Sequence, residues 1–165
     1  MRPDLAVASL SLVLVTAASA PPKPPSIEGT YRLVSRDMRN GTKQVPPTVD
    51  GLMSFSKGYR NFNIYVRDSA GKVLSLSYVA SYQLTPTEYH EKSIFFLLND
   101  ESSGKGATYD LSGRSGAAPV TLTGARVAFT FPLHDEPAVV FEGTRMTATE
   151  NGPYGSFVDH WERVP

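Results

Sequence analysis

Residues 73–98 of this chain read VLSLSYVASYQLTPTEYHEKSIFFLL, and this stretch decides the fold. Apolar and polar side chains alternate on both sides of Thr85-Pro86-Thr87, which is the two-residue period of a half-buried strand. A short turn with a proline between two such runs favours an antiparallel hairpin. If Tyr82 pairs with Tyr89, one face of the hairpin is apolar at one end. At the other end the same face is rich in hydroxyl groups and carries the carboxylate of Glu91.

The same strand-and-turn pattern continues along most of the chain. Further strands are predicted over 29–37, 51–56, 60–67, 106–111, 119–122, 125–132, 138–149 and 155–164. Turns rich in Gly, Pro and Asn separate them, and no window shows a 3.6-residue apolar period with a cap at each end. About eight to ten short strands in one domain predict an all-β fold. Closing the sheet removes its exposed edges, so we expect an antiparallel up-and-down β-barrel, with a two-sheet sandwich as the second choice.

The chain of 165 residues has the length of one domain, preceded by a segment typical of export. Leu5 to Val15 form a short apolar run, and small residues follow it, as in a secretory signal peptide. We therefore predict a signal peptide over residues 1–19, a Pro-rich spacer over 20–26 and the β-barrel domain over 27–165. The predicted location is the periplasm or the extracellular medium. The alternative is that the apolar run stays attached as an N-terminal anchor.

Composition excludes several classes of partner. Lys and Arg together number 16, as do Asp and Glu, so the formal net charge is zero. A neutral chain has no general attraction for phosphate backbones or anionic lipid, which argues against a nucleic-acid partner or a membrane-surface role. After the N-terminal run, no apolar stretch approaches the roughly 18 residues that a membrane-spanning helix needs. The absence of Cys excludes disulfides, so the fold must rely on its core. We also expect the protein to be a monomer.

Sequence motifs that would indicate catalysis or a bound cofactor are absent. The chain contains no Gly-x-Ser-x-Gly, no phosphate-binding glycine loop and no His-Glu-x-x-His. His90, His134 and His160 lie on separate predicted elements without the short spacing of metal ligands, so neither a metal nor a cofactor is predicted. Tyr78 and Glu91 are candidates for proton transfer in an apolar pocket, but no local arrangement requires an enzyme.

Four short segments carry a resemblance to a known family. They are Gly29-Thr30-Tyr31-Arg32-Leu33-Val34-Ser35, Pro46-Pro47, Gly51-Leu52-Met53-Ser54-Phe55-Ser56 and Trp161-Glu162-Arg163-Val164. Together they resemble the lipocalin-like domain family of bacterial proteins, within the wider calycin group of small β-barrels. The resemblance implies that Arg163 from the last strand packs over an aromatic ring of the first strand and closes the barrel base. Tyr31 occupies the place that Trp has in the calycin Gly-x-Trp motif.

In a barrel, alternate residues of each strand face the interior. On this basis we expect a cavity with a mainly aromatic wall and a few polar groups. The predicted wall residues are Phe62, Ile64, Leu76, Tyr78, Tyr82, Phe95, Phe129, Phe141 and Trp161. The predicted polar groups are Tyr89, Glu91, Arg145 and Asp159. In the expected C-terminal hairpin Arg145 faces Asp159, and a two-residue shift would place it over Trp161.

Three functions are compatible with such an interior. The prediction is binding of a small hydrophobic or amphipathic ligand, because apolar walls with a few polar groups are typical of small-molecule sites. One alternative is a barrel enzyme of the isomerase or cyclase kind, an activity that some calycin barrels have. The other is a barrel filled by its own side chains, which would act through its surface as an interaction module of the cell envelope.

Overall fold

The computed structural model describes residues 26–152 and 155–165. The predicted signal peptide, 1–19, and all of the predicted spacer except Ser26 lie outside these residues. The described part confirms the all-β, antiparallel prediction, because it consists of strands joined by turns and contains no helix. None of the described residues therefore belongs to a helix that would be long and apolar enough to cross a membrane.

Within residues 26–152 and 155–165, thirteen strands form the sheet. They are β1 (Gly29–Met38), β2 (Lys43–Gln44), β3 (Val49–Ser56), β4 (Tyr59–Arg67), β5 (Val73–Leu84), β6 (Glu88–Asp100), β7 (Gly106–Asp110), β8 (Ser115–Pro119), β9 (Thr121–Thr123), β10 (Arg126–Thr130), β11 (Ala138–Glu142), β12 (Arg145–Gly152) and β13 (Gly155–Arg163). All belong to one antiparallel sheet, so the two-sheet sandwich is not observed within the described residues. The sheet curls strongly into a half-barrel.

The order of the strands is β7-β6-β5-β4-β3-β1-β13-β12-β11-β10-β9, with β2 beside β1 and β8 beside β6. β8 pairs with β6 near one end of this order, and β9 pairs with β10 at the other end. Only Val120 separates β8 from β9 in the chain, so the segment 115–123 contacts both ends of the curled sheet. The strand number exceeds the predicted eight to ten because β2 and β8 were not predicted. In addition, a turn at Gly143-Thr144 divides the predicted strand 138–149 into β11 and β12.

A bulge in β6 changes which of its side chains face the interior. Ala80 pairs with Ser93, but the preceding residue of β5 pairs with Phe95, so Ile94 is an extra residue. Ile94 is accordingly 49% exposed. One extra residue reverses the facing of every residue beyond it. Phe96 is therefore buried inside, and Phe95, which was predicted to face the interior, lies on the outer side.

The hairpin between β5 and β6 also has a different register from the predicted one. Tyr82 pairs with Glu91, whereas the prediction paired Tyr82 with Tyr89. The shift of two residues keeps the same face inside. Tyr89 and Glu91 are consequently both buried, as the prediction required.

A second bulge, in β1, turns an arginine inwards. The register of β1 on β13 shifts between Leu33 and Ser35, which leaves Val34 as the extra residue. Val34 is 44% exposed. Beyond it Arg36 lies opposite Asp159, and Arg36 is only 7% exposed although its place in the alternation predicts the outer face.

The C-terminal hairpin places Arg145 on the outer surface. Arg145 pairs with Glu162, and Met146 lies opposite Trp161 in the interior. Both predicted registers differ from this one by an odd number of residues, and an odd shift moves a side chain to the opposite face. The prediction that Arg145 faces the interior is therefore wrong. Asp159 faces the interior as predicted, but its partner comes from β1 instead of β12.

Arg163 lies over the ring of Tyr31. Its guanidinium carbon is 5.6 Å from the ring centroid, and Nη2 donates hydrogen bonds to the Tyr31 hydroxyl, at 3.4 Å, and to the Glu28 carbonyl. Gly29 leaves room for this side chain. A Cβ at Gly29 would come within 2.5 Å of the Arg163 Nε, and its φ of 141° is one that other residues rarely adopt.

The interior has two ends that differ in their side chains. The aromatic end, beside the β3–β4 and β5–β6 turns, contains rings whose centroids lie 4.3–6.5 Å apart. These rings belong to Tyr31, Phe55, Tyr82, Tyr89, Phe129, Phe131 and Phe141. The cavity end, beside the β4–β5 turn, contains aliphatic and charged side chains around open space.

Candidate functional site

An inner cavity of about 70 Å³ lies at the cavity end. One wall is apolar because alternate residues of β4, β5 and the part of β6 beyond its bulge face inwards. The apolar lining residues are Phe62, Ile64, Val66, Leu74, Leu76, Leu98, Pro137 and Phe157. The remaining lining residues are all charged: Arg36, Glu136, Glu150 and Asp159.

A second space, the outer vestibule, adjoins the inner cavity and has a volume of about 270 Å³. The two spaces share Arg36, Val66, Leu74 and Phe157. The charged residues that line the vestibule alone are Asp68, Lys72 and Asp100. The vestibule therefore lies next to the inner cavity, on the side of the turns at this end of the sheet.

Arg36 is fixed at the boundary between the two spaces. Its Nε and Nη2 donate to the two carboxylate oxygens of Asp159 at 2.6 and 2.8 Å. Its guanidinium carbon lies 3.5 Å from the centroid of the Phe157 ring. The bidentate ion pair and the aromatic face together hold this side chain where the cavity meets the vestibule.

Beneath the inner cavity lies a buried charge cluster formed by Arg60, Glu91 and Glu136. Arg60 Nη1 donates to Oε1 of Glu91 and to Oε1 of Glu136, each at 3.1 Å, and Nη2 donates to Oε2 of Glu136. The Tyr89 hydroxyl donates to Oε1 of Glu91 at 3.1 Å. The Phe131 ring lies 3.5 Å from the guanidinium carbon, so the cluster connects the aromatic end with the cavity.

The charges of this cluster do not balance, because one arginine cannot neutralise two carboxylates and burial makes a surplus charge costly. Burial raises the pKa of Glu136 to about 7, against the opposing effect of Arg60. Burial opposes the charge of Arg60, but Glu136 and Glu91 raise its pKa above the ordinary value. Burial also raises the pKa of Glu150 and of Asp159. The carboxyl groups that line the cavity therefore hold protons more tightly than exposed ones.

Four of the predicted site residues line the inner cavity. They are Phe62, Ile64, Leu76 and Asp159. Trp161 is buried beside Phe62, with ring centroids 6.0 Å apart, but does not reach the lining. Tyr78 and Glu91 lie in the layer around Arg60, where burial raises the pKa of the Tyr78 hydroxyl. These two candidates for proton transfer therefore do not contact the cavity.

The other predicted residues lie elsewhere. Tyr82, Tyr89, Phe129 and Phe141 belong to the aromatic end, where they contact one another and do not line the inner cavity. Burial raises the pKa of Tyr82 to about 12. Phe95 is on the outer side against Tyr109, with ring centroids 6.1 Å apart, and Arg145 is exposed.

The prediction did not include four charged residues of the site. They are Arg36, Arg60, Glu136 and Glu150. The alternation contained a signal for Arg60, which is two residues from Phe62 and shares its face. The bulge at Val34 hid the facing of Arg36, and the register of the last hairpin hid that of Glu150. Glu136 lies in the loop after β10, where no strand period indicates which side chain points inwards.

The residues that the structure describes contain no cluster of three or more His, Asp or Glu side chains suited to a metal ion. His90 and His160 lie 2.8 and 2.9 Å from single carboxylate oxygens at partly exposed positions. His134 stacks on Phe96 with ring centroids 4.0 Å apart, and burial lowers the pKa of its imidazole. The three histidines therefore lie in three separate environments.

A larger groove, of about 590 Å³, lies along β3, β4 and β5 and includes Arg32, Asp50 and Tyr65. It is more open to solvent than the inner cavity. Small-molecule sites bury roughly 70–90% of their ligand. The more enclosed inner cavity is for this reason the better candidate site.

The chain matches no protein-family model, and no curated protein or solved structure is significantly similar to it. No relative therefore indicates a ligand or an activity.

Proposed function

We propose that this protein is a lipocalin-like barrel that binds a small hydrophobic or amphipathic molecule in the inner cavity and the outer vestibule. One observation carries the proposal: a partly enclosed space has aliphatic and aromatic side chains on one wall and four charged groups on the other. An apolar wall binds hydrocarbon, and a few placed polar groups orient the ligand.

The sizes of the two spaces limit how a ligand binds. The inner cavity, at about 70 Å³, has room for only a few non-hydrogen atoms. Small-molecule sites typically start near roughly 300 Å³. A ligand of ordinary size must therefore place one end in the inner cavity and extend past Arg36 and Phe157 into the vestibule.

Because side chains fill the aromatic end, we place the ligand site at the cavity end only. The alternative of a filled barrel that acts through its surface would require side chains to fill the cavity end as well. The gap between the aliphatic residues of β4 to β6 and Glu136 favours ligand binding over that alternative.

Export is part of the proposal. The apolar run at the N-terminus supports a periplasmic or secreted location, as a signal peptide over residues 1–19 would direct. N-terminal sequencing of the protein recovered from the envelope or medium of its host tests this part. A start near residue 20 is expected, and an intact N-terminus would contradict it.

A second candidate function is acid–base catalysis on the bound molecule. It is favoured by Glu136, a carboxyl group that lines the cavity and has a pKa of about 7. In this alternative Glu136 takes the role that the sequence suggested for Glu91. Turnover of a bound compound that Glu136→Gln abolishes, while binding persists, would support an enzyme.

Native mass spectrometry of the protein, purified gently from its host, tests ligand binding. Denaturation then releases any bound molecule for identification. Leu98→Trp should abolish the bound mass, because the larger ring fills the inner cavity. Leu111→Trp is the matched control, since Leu111 is 69% exposed and outside both spaces.

A stoichiometric small molecule that is present in the unaltered protein and in Leu111→Trp, but absent in Leu98→Trp, is the expected result. The same bound mass in Leu98→Trp would place the ligand elsewhere and contradict the proposed site. If the unaltered protein carries no ligand and none of a set of amphiphiles raises its melting temperature, the filled-barrel alternative is favoured.

A further inference from the structure

The inner cavity and the cluster beneath it contain more negative than positive groups. Two inward-facing arginines, Arg36 and Arg60, face four carboxyl groups, those of Glu91, Glu136, Glu150 and Asp159. Arg36 is engaged by Asp159, and Arg60 by Glu91 and Glu136. Among the described residues neither arginine forms a salt bridge with Glu150. The interior therefore needs protons or a further cation to balance its charge.

The entrance has the same sign of charge. Asp68 and Asp100 line the outer vestibule together with two cations, Lys72 and Arg36, and Arg36 is already paired with Asp159. Carboxyl groups of this kind are ionised at neutral pH. A vestibule with surplus negative charge attracts cations and repels anions before they reach the inner cavity.

The interior already holds cations in one repeated way. Each inward arginine is bound by carboxylate oxygens and lies 3.5 Å from the centroid of an aromatic ring, Phe157 for Arg36 and Phe131 for Arg60. Glu136 shares Arg60 with Glu91, and Glu150 has no arginine partner among the described residues. Both carboxyl groups line the cavity itself, opposite its aliphatic wall. A ligand that supplies a positive group and a hydrocarbon part is complementary to both walls.

We infer that the ligand of this site is an amphipathic amine, whose ammonium group binds against Glu136 and Glu150 while its hydrocarbon part lies along the aliphatic wall. This inference rests on the proposed function, because it requires the inner cavity to be a ligand site. It excludes fatty acids and other anionic amphiphiles as ligands, since their carboxylate would meet the surplus negative charge.

Three probes of equal chain length test the sign of the charge: hexylammonium chloride, 1-hexanol and sodium hexanoate. Their affinities for the purified chain are measured by calorimetric titration at pH 8 and constant ionic strength. Hexylammonium should bind at least ten-fold more tightly than hexanol, because a charge-assisted hydrogen bond to a carboxylate is stronger than a neutral one. Hexanoate should bind most weakly.

Glu150→Gln should reduce the preference for hexylammonium over hexanol about ten-fold and leave the hexanol affinity unchanged. Glu136→Gln should have the same effect, and Glu150→Gln keeps the test decisive if Glu136→Gln does not fold. Glu162→Gln is the matched control, because Glu162 is exposed on the outer face and has no part in the cavity. Its preference should equal that of the unaltered protein.

The affinity for hexylammonium should also rise between pH 5 and pH 8, because a proton on Glu136 competes with the ligand. The amine itself stays charged over this range, as a lysine side chain does. The charged or titratable groups that face Glu136 are Arg60 on β4, Tyr78 on β5, Glu91 and Tyr89 on β6, Glu150 on β12, Arg36 on β1 and Asp159 on β13. In Glu136→Gln the pH dependence should be smaller.

Two outcomes distinguish failure of this inference from failure of the proposed function. If hexanol or hexanoate binds as tightly as hexylammonium, the site is a ligand site but not one for cations, and the inference is overturned. If none of the three probes binds, both the inference and the proposed ligand site are wrong.

Discussion

The aromatic end and the cavity end of the sheet have the same strand alternation but are filled differently. At the aromatic end, rings stack and meet edge to face, as Tyr89 and Phe129 do at 4.3 Å between centroids. At the cavity end, Leu74, Leu76 and Leu98 face Glu136 and Glu150 across open space. Whether such an interior is filled or hollow therefore depends on side-chain size and charge, and the period of the strands does not decide it.

The charged groups give a physical reason for the open space. Burial of a carboxyl group against hydrocarbon without a partner costs much free energy. The cavity end therefore cannot collapse as the aromatic end does. Arg60 lies between the two ends, in contact with the Phe131 ring on one side and with Glu136 on the other. It neutralises part of the charge that keeps the cavity open.

The largest expected effect is the loss of Arg60. Arg60→Met leaves Glu91 and Glu136 buried without their cation, so it should lower the free energy of unfolding by about 3–5 kcal/mol at pH 7. Urea denaturation measures this change. Arg32→Met is the control, because the Arg32–Asp50 pair is exposed and should contribute less than about 1 kcal/mol. Similar costs for both substitutions would contradict the role of the buried cluster.

Truncation of one ring at each end tests the difference in packing directly. Phe129→Ala should cost about 3–5 kcal/mol, because Phe129 is surrounded by other rings. Phe157→Ala makes the same chemical change beside the inner cavity and the vestibule, and it should cost about 1–3 kcal/mol. Thermal and urea denaturation measure both variants. An equal cost would mean that the two ends are packed alike.

The smallest predicted effect is the pH dependence of stability. The pKa of Glu136 is raised in the folded chain, so the folded state binds its proton more tightly than the unfolded state. Its contribution to stability is complete below about pH 4.5 and is lost as the pH rises to about 7, by on the order of 1–3 kcal/mol. Glu150 and Asp159 act in the same direction.

Urea denaturation of the unaltered protein and of Glu136→Gln at several pH values between 5 and 8 measures this loss. Stability of the unaltered protein should fall across the range, and Glu136→Gln should show a smaller slope. The exposed Asp68 and the half-buried Asp37, Asp100 and Asp110 have lowered pKa values, so their contribution is lost only at acid pH, below about 3.8. A slope in Glu136→Gln equal to that of the unaltered protein would contradict the assignment.

Much of the site could be predicted from alternation within a single strand. Phe62, Ile64 and Leu76 belong to strands without a bulge before them, and the structure places all three in the lining of the inner cavity. Arg60 follows from the same alternation. The facing of Phe95 and Arg36 could not be predicted, because each follows an extra residue that changes the period.

The sequence by itself determined the all-β, antiparallel class of this protein, because strand period and turn residues are local properties that survive any change of register. Only the tertiary structure decided which charges meet inside. The bulges at Val34 and Ile94 arise from pairing with neighbouring strands, and Glu136 reaches Arg60 from a loop 76 residues further along the chain. Electrostatic contacts of this kind depend on distances between remote segments, which no local pattern records.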